Sequence, residues 1–136
     1  MKKQIKYKGG YKYLLTEDFV YYTGISRAED VNTQFIDLGK AGRLLIKSGY
    51  AWDGPSGPTI DTKNFMKGSL VHDALYQLMR EEEISRDWRK KSDQILWEIC
   101  IKDGMSKIRA QFVYWGVRIG SGPSSVNDGR PERTAP

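Results

Sequence analysis

Cysteine and histidine are nearly missing from this chain: 136 residues hold one of each, Cys100 and His72. One cysteine cannot close an intramolecular disulfide, so a disulfide-stapled secreted fold is excluded and a reducing compartment is compatible. No apolar run approaches the roughly 18 residues that a membrane span needs. The start, Met1-Lys2-Lys3-Gln4-Ile5-Lys6, is basic, but no apolar segment follows it, and no signal peptide is expected. No motif for sequence-specific nucleic-acid binding is present. There is no internal repeat.

What is there is ordinary for a globular protein, with 39% hydrophobic and 29% charged residues. The length predicts a single domain over residues 1–120, mostly β over 1–50 and mostly α over 69–120. Residues 121–136, rich in Gly, Pro and Ser, read as an extended tail held in order by another chain. The net charge is +5, of which residues 1–68 carry +4. Lys2, Lys3, Lys6, Lys8 and Lys12 supply much of it. They form either a solvated terminal strand or a contact for anionic lipid or phosphate.

Period-2 patterning marks the first half. Tyr11–Leu15 and Phe19–Tyr22 are strand candidates joined as a hairpin through Thr16-Glu17-Asp18. Gln34–Leu38 and Arg43–Lys47 make a second hairpin around Gly39-Lys40-Ala41-Gly42. Ser26–Asn32 reads as a loop. Three helices are expected in the second half. The first carries Leu70, Val71, Ala74, Leu75, Leu78 and Met79, with Ser69 as its cap. The second runs from about Ser85 to Lys102 with Trp88, Ile95, Leu96, Ile99 and Cys100 on one face, and Gly104 ends it. The third is capped by Ser106, and its apolar face holds Ile108, Phe112, Trp115 and Ile119. Strands followed by helices predict an α+β fold, an antiparallel sheet packed on three helices. Tyr50–Gly68 reads as a long irregular loop, a mark of function.

Candidate chemistry gathers around His72. Tyr76, four residues on, shares its helix face, and Asp73 points to a neighbouring sector. Asp93 sits mid-way along the second helix, an antiparallel neighbour of the first. An Asp93 carboxylate oxygen within about 3.2 Å of the imidazole would fix its tautomer and raise its basicity. That suits a general base acting on water. Asp73 and the carbonyls of the loop Trp52-Asp53-Gly54-Pro55-Ser56-Gly57-Pro58 suit calcium, a hard cation that takes oxygen ligands. Equally, His72–Asp93 reads as a buried polar link between helices, and Asp73 as a surface partner of Lys67 or Lys91.

The segments GYAWDGPSGP, LVHDALYQL and RKKSDQILWEI, with the Tyr/Trp-rich third helix after them, resemble a family of small, functionally uncharacterised phage and prophage proteins. The likeness covers about Tyr50 to Gly120. It implies a phage origin and supplies no activity; together with a tail held by another chain, it makes a virion-associated structural or interaction protein the expectation, partnered by other particle proteins or by its own copies, in the virion or the host cytoplasm. A further resemblance is to short bacterial and parvoviral phospholipases A2, which place a Gly-rich calcium loop before a His-Asp-x-x-Tyr helix. It implies His72 as base, Asp93 as its supporting carboxylate and Tyr76 as donor to that carboxylate. Asp73 would be a calcium ligand, with carbonyls of Trp52, Gly54 and Ser56 completing the site. The loop here reads Trp-Asp-Gly-Pro, where that family has Tyr-x-Gly-x-Gly. The particle component is thus the first expectation, a calcium-dependent lipid-ester hydrolase is the alternative, and inhibition of a host protein through the basic N-terminus is a third.

Overall fold

Short strands fill the first part of the chain and helices the last. The computed structural model of the chain describes residues 7–8, 13–52 and 63–120, with only the backbone at 7–8. These residues fall into two compact units, one of strands and one of helices. The architecture is α+β, with antiparallel sheets preceding three helices.

In the strand unit, β1 (Tyr7–Lys8), β2 (Tyr13–Leu15) and β7 (Ala51–Trp52) form one antiparallel sheet in the order β1-β2-β7. A second sheet runs β3-β6-β5-β4, built from β3 (Phe19–Tyr22), β4 (Val31–Asn32), β5 (Ile36–Leu38) and β6 (Arg43–Ile46). The expected β5–β6 hairpin is present, with Ile36 opposite Ile46 and Leu38 opposite Leu44. All four of these side chains are buried, as alternation in a strand dictates. Gly42 serves the turn with φ +102°, and a Cβ there would meet the backbone of Gly24 and Ile25 at 3.0 Å.

The other expected hairpin does not form. β2 pairs with β1 and β7, whereas β3 pairs with β6. The link Thr16-Glu17-Asp18 has no glycine to take the positive φ that tight hairpin turns favour. It instead carries the chain from one sheet to the other. Leu15 donates to the Tyr50 carbonyl, and Asp18 accepts from the Ser48 amide at 2.7 Å. Val31–Asn32, expected as loop, is the edge strand β4. Ala51–Trp52, in the expected irregular stretch, is a strand paired with β2.

The helical unit comprises α1 (Lys63–Arg80), a 3-10 turn over Arg86–Trp88, α2 (Arg89–Lys102) and α3 (Lys107–Gly120). α1 begins earlier than the Ser69 cap predicts. Ser69 lies inside the helix, where its hydroxyl is buried and donates to the Met66 carbonyl. That back-bond satisfies the hydroxyl without interrupting the helix. α1 closes with Glu82 at φ +60° while the amides of Glu83 and Ile84 reach back to Leu78. α2 ends on Gly104 as expected, at φ +102°. Ser106 caps α3 by accepting from the Arg109 amide at 3.2 Å.

α1 and α2 pack closely through Gly68. A Cβ added there would meet Leu96 Cδ1 at 2.8 Å and Cys100 Sγ at 3.2 Å. Phe65, Leu96, Cys100, Met105 and Ala110 form a buried cluster, with Val113 and Val117 packed against it. α3 therefore turns Ala110, Val113 and Val117 inward. Ile108, Phe112, Trp115 and Ile119, expected as its core face, are exposed. The smaller stripe wins because it lets the α3 backbone come close to the cluster.

Candidate functional site

Asp93 is the centre of the site. It projects from the middle of α2, is fully buried, and is reached from both other helices, α1 and α3. From α1, His72 Nε2 lies 2.7 Å from its Oδ1, and the Tyr76 hydroxyl donates to the same oxygen at 2.6 Å. From α3, Arg118 donates to Oδ2 at 2.8 Å. The one-turn spacing of His72 and Tyr76 sets them side by side, with ring centroids 4.2 Å apart. Arg89 donates to the Arg118 carbonyl, which ties the start of α2 to the end of α3.

Burial by itself would raise the Asp93 pKa, since it disfavours a bare carboxylate. The hydrogen bonds from His72 and Tyr76, the His72 charge and the Arg118 hydrogen bond outweigh it and hold the carboxyl below its ordinary range. Asp93 is thus an ionised acceptor. Nε2 must then carry the proton that it shares with Asp93, which leaves the Nδ1 lone pair free in the neutral ring.

Burial alone would lower the His72 pKa. The negative charge of nearby Asp73 and the hydrogen bond and charge of Asp93 outweigh burial and raise it above 6.5. Nδ1 faces Asp73, whose carboxylate oxygen is 3.9 Å away, and the Asp73 side chain is 39% exposed. The Tyr76 pKa is pushed well up, first by burial and then by its bond to Asp93, so the phenol stays a donor.

The expected His72–Asp93 contact is therefore in place, and Tyr76 joins it. The expected pairing of Asp73 with Lys67 is not made: Lys67 bonds Asp103 at 3.4 Å instead. Trp52 is buried in β7, stacked on Tyr50 and tilted against Tyr13. Gly54 and Ser56 lie outside the described residues, as do the tail and the side chains of Lys2, Lys3, Lys6, Lys8 and Lys12. Among the described residues no three His, Cys, Asp or Glu side chains gather as a metal site.

Arg118 is the member that sequence reasoning missed. An arginine near a helix end reads as a solvated cation. The available signal was Asp93 itself, a carboxylate beside the apolar face of a helix, which calls for a counter-charge once buried. No family model matches the chain, and no curated protein or solved structure matches it.

Proposed function

We propose that the protein is a hydrolase of lipid esters in which His72 is the general base. The observation that carries this reading is the 2.7 Å bond from His72 Nε2 to a carboxylate held ionised by Tyr76 and Arg118. This fixes the tautomer and directs the basic lone pair of Nδ1 towards Asp73. A water between Nδ1 and an ester carbonyl would give its proton to Nδ1 as its oxygen bonds to the carbonyl carbon. The tetrahedral adduct then collapses, and the proton passes from Nδ1 to the departing alkoxide oxygen. Asp93 holds the imidazolium between the two steps without taking the proton.

Calcium is proposed as the metal, with the Asp73 carboxylate as its side-chain ligand. An accessible oxygen donor beside the base is the chemistry that a hard cation takes. A bound calcium would polarise the carbonyl and stabilise the oxyanion. The carbonyls of Trp52, Gly54 and Ser56 remain proposed ligands on the resemblance alone.

The test is fatty-acid release from phospholipid vesicles with calcium and with chelator, using wild type and Asp73→Asn. Calcium-dependent release by wild type, with the dependence lost in Asp73→Asn, supports the reading. Absence of release from any lipid overturns it.

One observation favours a second reading, that of a particle component. Arg118 joins α3 to a carboxylate that already has two donors, which makes Asp93 a tie for the whole helical unit. Under that reading His72→Asn costs stability and leaves assembly with phage particle proteins, or with its own copies, as the function. Inhibition of a host protein rests on the N-terminal lysines alone.

A further inference from the structure

α3 is apolar on two opposite sides. At roughly 100° per residue, Ala110, Val113 and Val117 share the face packed on the helical core. Ile108, Phe112, Trp115 and Ile119 fall within an arc of roughly 60° on the other side. They are 74%, 73%, 55% and 82% exposed, and among the described residues only Tyr22 is another large apolar side chain so open to solvent. The stripe runs about 16 Å along the helix, from its first turn to its last. Four large apolar side chains in one contiguous row are a costly surface to leave in water, and such a row marks an interaction face.

The charges beside the stripe decide what covers it. α3 contains Lys107, Arg109 and Arg118 and no Asp or Glu. Arg118 is committed to Asp93; Lys107 is exposed on one flank of the stripe, and Arg109, which has contacts of its own, is partly exposed on the other. A helix with bulky Ile, Phe and Trp on one face, cations at its flanks and no acid fits an anionic bilayer surface lying parallel to its axis. Trp suits the boundary between headgroup and acyl chain, with its ring in the apolar layer and its N–H towards water.

We infer that the outer face of α3 docks the protein on anionic lipid membranes, with Phe112 and Trp115 at its centre and Lys107 and Arg109 against the headgroups. The inference rests on this surface and not on the chemistry proposed for His72. It does specify that lipid is met as an assembled surface.

The experiment is co-sedimentation of the full chain with vesicles of phosphatidylcholine alone or mixed with phosphatidylglycerol, without calcium. Wild type, His72→Asn and the double variant Phe112→Ser/Ile119→Ser are compared. Both substituted positions of the double variant are exposed, so its helix content by circular dichroism should match wild type. The expected result is at least ten-fold tighter binding to the anionic vesicles. It weakens with salt, is kept by His72→Asn, and falls at least ten-fold in the double variant. Retained binding by His72→Asn with no hydrolysis by wild type would sink the hydrolase and leave the docking face standing. Equal binding by wild type and the double variant overturns the inference, as does no binding to either vesicle. A dimer in solution that the double variant dissolves, without lipid binding, assigns the face to a second copy and also overturns it.

Discussion

At Asp93 one carboxylate accepts from three side chains on two other helices, and its ionisation sets the state of His72. Because His72 is the sole histidine, its ring nitrogens give a single NMR titration to follow. The expected apparent pKa lies above 6.5, since Asp73 and Asp93 outweigh burial. Arg118→Met removes a positive charge that offsets Asp93, so the His72 pKa should rise further. A value that stays put or falls would show that Arg118 does not share the charge of Asp93. The same change leaves a buried carboxylate with one donor fewer, and chemical denaturation should show a loss of about 1–3 kcal/mol. Tyr76→Phe should cost a similar amount without adding or removing charge. The His72–Asp93 contact was legible because a short link makes α1 and α2 neighbours, and helical spacing sets Tyr76 beside His72, whereas the Tyr76 bond to Asp93 was suggested only by the resemblance. Arg118 was not legible, because which cation on α3 reaches Asp93 depends on how α3 is rotated against α2.

At the scale of elements, two glycines in the helical unit carry different constraints. Gly68 is where α1 meets α2, and its missing side chain is space already filled by Leu96 and Cys100. Gly68→Ala should improve helix propensity and still destabilise, by about 1–3 kcal/mol, because overpacking at 2.8 Å outweighs the local gain. Gly104 has open space around its missing Cβ but a φ of +102°. Gly104→Ala should cost about 1 kcal/mol through backbone strain alone. Urea unfolding of both variants checks this, and a more stable Gly68→Ala would contradict the close packing of α1 on α2. The end of α2 and the start of α3 were legible, since Gly104 and Ser106 are local signals, whereas α1 starts before Ser69 and Ser85 caps a 3-10 turn ahead of α2. The β2–β3 hairpin was misread because strand partners are not local: β2 takes β7, after the whole second sheet has been built. The α3 face was misread because its larger stripe carries the stronger hydrophobic signal, while the smaller one fits against the core.

At the scale of the molecule, the change from strands to helices was legible because the period of apolar residues changes from 2 to 3.6. The tie at Asp93 makes the stability of the helical unit depend on pH in two directions. The Asp93 pKa is depressed on folding, so its contribution is present above the ordinary carboxylate range and is lost as pH falls through the folded value. The His72 pKa is raised, so its contribution is complete below 6.5 and fades as pH climbs through the folded value. Melting temperature should therefore be highest in mildly acid solution, below 6.5 and above the Asp93 titration. His72→Asn should flatten the alkaline side of that profile. Catalysis asks for the opposite protonation state, because a base must be neutral to accept a proton. The most direct test of the account is the pH dependence of fatty-acid release in saturating calcium, set beside the NMR titration of His72 under the same conditions. The rate should rise as His72 loses its proton, with coincident midpoints, and His72→Asn should lower it by about 10² or more. A rate that stays level across the His72 titration, or that survives in His72→Asn, would contradict it.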